Sequence, residues 1–497
     1  MNLMKLLTLK KSVIFNYSYI IMKKINFLAI VLAQLVSAQS ISLIKDINPG
    51  VQGSSPQYLT KYNGNIFFSA NNPTLGSEMW FSDGTADGTQ VVADFLPGTA
   101  GQIPVNLSTF NNKIYYSALV GDSERPTGLY GYDLTNGIKL ISENYKFSSS
   151  FYSANGKFYF NSGGFLYEMD STESIKKVSE NILPNGQATS MNGKLLFGGR
   201  PSSSTNVYYQ LYSYDGTTTS LLKTINTTNT GNPQEFFYSP TLNKVFFSAS
   251  DNTASTEPWI SDGTAEGTYR LKDISTASQF ASSSPTGFNE VGGKVIFAAA
   301  VSGTTGKELY ITDGTEAGTK LLKDINPGTA SSNPAKFTLL NGKLYFFANG
   351  GSNDAQIWET DGTAEGTKLS LKLNPGSTNF FLSEMIVKDN SLFVSAKLGV
   401  SPGQELYRVD NLGGTLSVTS LISNKSKVYP NPTTGEIFID NYAKGNFELF
   451  DSSGRLVKKG KIGLDSKADV SSYPGVYQLK ATSEDSKDVS IKKVIIK

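Results

Sequence analysis

The chain contains no cysteine and no histidine in 497 residues, and only three tryptophans. Without cysteine there is no disulfide framework, thiolate metal site or thiol nucleophile. Without histidine there is no imidazole base, Ser-His-Asp triad or His-ligated metal. No catalytic residue, metal ligand or cofactor is expected from what remains. A basic surface is missing too. The net charge is +2, but residues 1–38 carry five lysines and no acid, and residues 424–497 carry thirteen basic against nine acidic side chains, which leaves −7 on 39–423. That acidic centre offers nucleic acid no basic stripe, and no nucleic-acid partner is expected.

Long hydrophobic runs are scarce, and the exception stands near the start. "MKKINFLAIVLAQLVSAQS" begins at Met22 with two lysines, continues as a short apolar stretch, and ends in small residues before Gln39. This pattern predicts a signal peptide over 1–38, cleaved between Ala38 and Gln39, with Met22 a candidate for the real start. The apolar stretch is too short for a stable membrane span, so none is expected in the mature protein. With no cysteine after the cleavage site, a lipid anchor there is excluded.

What the chain has in quantity is glycine (47), tyrosine (25) and phenylalanine (29). Turn residues and aromatics in that proportion suit an all-β protein. They are also periodic. An aromatic three residues ahead of an aspartate occurs eight times, as Trp80/Asp83, Tyr130/Asp133, Tyr167/Asp170, Tyr212/Asp215, Trp259/Asp262, Tyr310/Asp313, Trp358/Asp361 and Tyr407/Asp410. In the fullest copy, "ELYITDGTEAGTKLLKDINPG" at 308–328, the aspartate opens a DGTxxGT run. Upstream of each aromatic lies a second shared element such as "NGKLYF" at 341. Asn-Gly between apolar alternations marks a two-residue hairpin. Each unit therefore reads as strand A, a tight turn, strand B, a variable loop, strand C with the aromatic, DGTxxGT, and strand D.

Four strands in roughly 47 residues, repeated eight times, predict a β-propeller of about eight four-stranded blades over 39–423, with seven as the alternative. In DGTxxGT the aspartate is expected to accept a backbone N–H two residues on, and glycine to supply positive φ. The motif thus reads as a turn staple rather than a metal loop, because a calcium site needs more oxygen ligands than "DGTADG" at 83–88 brings together. An extra strand-D copy, "SLIKDINPG" at 42–50, is placed to close the ring with the last blade. These motifs resemble the ELWxxDGT repeat proteins of secreted bacterial origin. The resemblance spans 41–422, with units two, three, four and eight eroded. It implies little about biochemical role.

After a linker at 424–427 the pattern changes. Residues 428–497 read as a small Ig-like β-sandwich, with short strands cut by PNP, SSG and YPG turns. The order of motifs resembles the type A sorting domain of the type IX secretion system. Pro430, Asn431, Pro432 and Gly435 match its opening, Asp451, Gly454 and Arg455 its centre, and Gly475, Tyr477, Lys492 and Lys493 its end. Phe450 stands where the family often has tyrosine. The resemblance implies passage through the periplasm, the secretion machinery as partner, and secretion or attachment at the outer-membrane surface, with the tail removed on the way.

Function is less legible than fold. Glycan hydrolysis by two carboxylates is open to a histidine-free protein. Glu124 and Asp354 lie in loops, but no spacing pairs them. A sialidase-like site would need several converging arginines, whereas the propeller holds only Arg125, Arg200, Arg270 and Arg408. The reading preferred over such an enzyme is a binding or display module for a glycan or surface ligand. Its face would be the B–C and D–A loops, because the other face repeats the same tight turns. Arg125, Arg200, Tyr208 and Tyr209, in loops 119–128 and 199–209 of blades two and four, are the candidate contacts.

Overall fold

Each repeat folds as four antiparallel strands because its polar breaks fall where the backbone must reverse. Blade 1 shows the pattern. Strand A (Gln57–Tyr62) turns at Asn63 and Gly64, both at positive φ, into strand B (Asn65–Asn72). Strand C (Gly76–Ser82) then leads through the DGT turn to a short strand D (Thr89–Val91). The computed structural model describes residues 39–412 except 146–148, 207, 279–280, 302, 352–354 and 374–380. It also describes 428–496 except 430–432, 440–444, 451–455, 464–466, 472–473 and 484–488. The segment 1–38, expected to be a signal peptide, lies outside the described residues.

The described residues of 39–412 form one compact unit of eight four-stranded sheets. The A strand of each blade neighbours the A strand of the next, and that of blade 8 (Phe381–Lys388) returns to blade 1. The result is an eight-bladed ring with A strands innermost. The first described strand, Ser40–Lys45, is the outermost strand of blade 8, with Ser40 opposite Asp410 and Leu43 opposite Tyr407. Gln39 Nε2 donates to Ser370 Oγ of blade 7 at 3.3 Å.

B strands lie between neighbours that cover both faces, so they read as continuous apolar runs instead of alternating. Ile66, Phe67 and Phe68 are buried side by side, as are Val295, Ile296 and Phe297. The A strands carry register slips near their starts, for example between Gln57 and Thr60 and between Ala335 and Thr338. These bulges hold Tyr58, Asn106, Glu235 and Lys336 at positive φ. The C-terminal unit pairs a three-stranded with a four-stranded sheet around Ile437, Phe447, Leu449, Leu479 and Val494. This is a small sandwich.

Candidate functional site

The eight repeat aromatics occupy one slot on the C strands, each opposite a residue of strand B: Phe68 faces Trp80, Tyr116 faces Tyr130, Phe160 faces Tyr167 and Phe197 faces Tyr212. Likewise Phe247 faces Trp259, Phe297 faces Tyr310, Phe346 faces Trp358 and Val394 faces Tyr407. Trp80 and Trp259 are 6% and 5% exposed, so they are packing residues rather than a ligand platform. Trp358 is only half-buried. Where tyrosine fills the slot its hydroxyl can reach the B–C loop, as Tyr130 does in donating to Pro126 O at 2.7 Å.

The DGT turn closes on itself. Asp83 Oδ1 accepts from Thr85 N at 2.8 Å and Thr85 Oγ1 at 2.7 Å, and Gly88 N donates to Thr85 Oγ1 at 3.0 Å. Asp262, Asp313 and Asp361 repeat the geometry. The first glycine sits at positive φ, 100° at Gly84. The second is needed for another reason: a Cβ on Gly88 would lie 2.1 Å from the Asp83 carboxylate. Asp170 and Asp215 keep the bonds to a threonine, and Asp133 caps Thr135 and Asn136. Asp410 departs, accepting from Arg408 Nε at 2.9 Å and from Ser391. The threonine hydroxyl is the main cause holding Asp83, Asp262, Asp313, Asp361 and Asp170 below the usual carboxylate range. At Asp215 the Thr218 N–H leads, and the value falls to about 2.

A second set of repeat residues escaped the sequence reading. The glutamate two positions before the aromatic is buried and accepts from the D–A loop that leads into the next blade. Glu308 accepts from Ile325 N at 2.8 Å, Ser332 N at 2.7 Å and Ser332 Oγ at 2.6 Å. Glu257 holds Ile274 and Ser283 in the same way, and Glu405 holds Ile47, Asn48 and Ser54 across the ring closure. In blade 1 Glu78 takes Leu96 N and Gln102 N, both at 3.1 Å. Gln356 and Gln210 do the work in blades 7 and 4. Side chains of the held isoleucines then pack on the next blade's slot: Ile47 with Trp80, Ile225 with Trp259 and Ile325 beside Trp358. Lysines add a third link, Lys45 Nζ to Thr89 O at 2.7 Å and Lys272 Nζ to Thr319 O at 2.6 Å. Burial raises Glu78 to about 7, and it raises Glu257, Glu308 and Glu405 as well, against the pull of their hydrogen bonds.

On the B–C and D–A face, no bond among the described residues ties together the loops of blades two and four. Arg125 is spent on its own surroundings, with Nη1 donating to Phe95 O at 2.9 Å and Nη2 to Asp122 Oδ2 at 3.0 Å. Glu124 is largely exposed, and Asp354 lies outside the described residues. Arg200 lies 5.7 Å over the Tyr209 ring and donates to Ser204 O. Tyr208 is 37% exposed. Tyr209 N donates to Thr230 Oγ1 at 3.0 Å, which ties this loop to the D–A loop entering blade 5. There a cleft of about 310 Å³ opens, lined by residues of 226–230 and 250–255. Arg270 reaches this cleft by pairing with its lining residue Asp251, whereas Arg408 pairs with Asp410 elsewhere. Along the channel wall, bulge N–H groups are already taken: Glu384 accepts from Tyr58 and Leu59, and Glu235 from Gly287.

In the C-terminal unit Gly435 has φ 150° and donates its N–H to Thr433 Oγ1 at 3.1 Å. Gly475 pairs with Ile496, Tyr477 with Val494, Gln478 with Lys493 and Leu479 with Lys492. Pro430, Asn431, Pro432, Asp451, Gly454 and Arg455 lie outside the described residues. Residues 427–497 match the family model of the secretion system C-terminal sorting domain. They are a type IX sorting tail. The protein is therefore exported, to the cell surface or beyond it. No curated protein matches the chain. Among solved structures, it is similar to PorZ, a surface component of the type IX secretion system of Porphyromonas gingivalis, at 10% identity, 90% of this chain, 82% of that one and a TM-score of 0.30. The β-propeller domain of the trilobed protease of Pyrococcus furiosus matches at 9% identity, 72% and 95% coverage and a TM-score of 0.39. A puromycin hydrolase matches at 11%, 89% and 60%, with a TM-score of 0.42. No helix among the described residues is long and apolar enough to cross a membrane.

Proposed function

We propose that this exported protein is a binding module whose propeller presents a polar ligand site on its B–C and D–A face, the ligand being a glycan or another hydroxyl-rich surface molecule. Residues 39–423 form the binding body, and residues 428–497 address it to the type IX machinery. The observation that carries the reading is the contrast between the two faces. On one, the DGT turns spend their aspartates and threonines on each other. On the other, the loops vary in length and composition, and a polar cleft opens beside the Arg200–Tyr209 stack.

A glycan array probed with the mature protein, run beside an assay for newly released reducing ends, tests this reading. Specific binding without release supports it. Release that disappears in Glu124→Gln replaces it with the carboxylate enzyme, and a silent array refutes it.

A further inference from the structure

We infer that the cleft at the edge of blade 5 is the subsite for a neutral sugar ring. This rests on the proposed reading of the face as the binding face and narrows it to one place and one chemistry. The cleft measures about 310 Å³ and is walled by two loops, 226–230 and 250–255. That size falls at the lower end for small-ligand sites. Its lining is amide and hydroxyl, with Asp251 as the one carboxylate and Ala254 as the one aliphatic side chain. A lipid tail would find no apolar wall there.

The walls are set before any ligand arrives. Asn252 bridges the loops, its Oδ1 accepting from Thr227 N at 2.9 Å and its Nδ2 donating to Thr227 Oγ1 at 2.6 Å. Asn226 Oδ1 accepts from Thr228 N and Asn229 N and fixes the opposite wall. Such pre-organisation lowers the ordering cost of binding.

Donor and acceptor sites then face the same space. Asp251 Oδ1 is saturated by Thr253 N, Thr253 Oγ1, Ala254 N and Arg270 Nη1. Its Oδ2 accepts only from Arg270 Nη1, at 2.9 Å, among the described residues. A carboxylate oxygen with one donor keeps acceptor capacity. Asn229 uses its Oδ1 on Thr230 N at 2.8 Å, and among the described residues its Nδ2 donors remain open. A sugar hydroxyl both donates and accepts, so a fixed acceptor and a donor in one cleft suit it. A phosphate or carboxylate ligand would instead meet the negative Asp251, whose positive partner Arg270 is already engaged. The next ring of a chain would leave the cleft past Thr230 toward Tyr209 and the exposed Tyr208, where an aromatic face favours stacking.

The test uses the mature chain against immobilised neutral oligosaccharides (glucan, mannan, xylan and chitin fragments) and sulfated and uronic-acid oligosaccharides. Wild type is compared with Asp251→Asn, Asn229→Ala and the control Glu365→Gln, exposed in the DGT turn of blade 7 on the opposite face, each checked for an unchanged melting temperature. Asn229 is exposed and makes one local acceptor bond, so its variant keeps the test open where Asp251→Asn disturbs the loop. A loss of tenfold or more in affinity for a neutral oligosaccharide in Asn229→Ala, with the control unchanged, supports the subsite. Unchanged neutral binding in the folded variants overturns the subsite and leaves the face reading standing. Preference for the acidic oligosaccharides overturns the chemistry. No binding of any oligosaccharide by wild type overturns both the subsite and the reading beneath it.

Discussion

Glu308→Ala removes the acceptor that fastens the loop between blades 6 and 7, and its cost follows from three bonds. Ile325 N is a buried backbone donor that loses its partner, at about 1–3 kcal/mol, whereas Ser332 N keeps Lys307 O at 3.1 Å as a second acceptor. The Ser332 hydroxyl turns to Lys307 O, 3.3 Å away, and costs little. Some energy returns, because burial already disfavours the Glu308 charge. The expected net loss is about 2 kcal/mol. Glu308→Gln should cost only about 1 kcal/mol, since one carbonyl acceptor remains and no charge is buried. Gln356 already fills this slot in blade 7, accepting from Leu373 N, and Gln210 does so in blade 4. Urea unfolding of the two variants beside wild type measures the difference, and amide exchange at Ile325 and Ser332 locates it. An alanine variant as stable as the glutamine variant, or exchange unchanged at both amides, would refute the staple.

Four further outcomes are expected. Glu78 binds its proton more tightly folded than unfolded, so its contribution is greatest below about pH 4.5 and falls by about 3 kcal/mol as the pH rises past 7; Glu78→Gln should flatten that limb of a pH–stability curve. Gly318→Ala should be destabilising because its Cβ would sit 2.0 Å from Asp313 Oδ1, and adding Asp313→Ala should relieve the clash, giving a measurable coupling in a double-mutant cycle. Trp259→Ala should cost about 3–5 kcal/mol by chemical denaturation, and Trp358→Ala clearly less because that indole is only half-buried. Deleting 428–497 should leave a folded propeller in the periplasm, detected by fractionation; normal surface delivery would contradict the sorting role.

The parts of this fold that were readable from sequence are those whose bonds are local. Asn63-Gly64 and Asp83-Gly84-Thr85 fold through contacts two or three residues apart, so their chemistry is written in adjacent letters. The glutamate staple was not read because its partners lie 17 and 24 residues downstream at Glu308. A signal existed all the same. Glu257 to Ile274, Glu308 to Ile325 and Gln356 to Leu373 share the same separation of 17, and a repeated spacing between a buried glutamate or glutamine and an isoleucine or leucine is itself periodic. The inner-strand bulges left no such trace: Tyr58, Asn106, Glu235 and Lys336 share a conformation but no chemistry. The candidate face was chosen from the length and the polar composition of its loops. Neither could show that Arg125 would be consumed by Asp122, or that Tyr209 would hydrogen-bond to the loop entering the neighbouring blade.

These bonds bear on where function can reside. A residue that recurs in every strong repeat is recurring because the blade needs it, and here its polar atoms are spoken for. Asp313 caps its turn, Thr319 bonds to Thr312 and Thr315, Glu308 holds a loop, and Lys323 reaches the next turn. Chemistry for a ligand must come from departures from the repeat. Asp251 is such a departure, standing at the end of strand B where blade 1 has Asn72. Asn72 caps Thr74 and Leu75 and donates its amide to Ile47 O. Asp251 keeps the equivalent cap on Thr253 and Ala254 but has no amide, and its second oxygen takes Arg270 instead. The exchange turns a neutral loop clasp into an ion pair with a spare acceptor at the cleft wall.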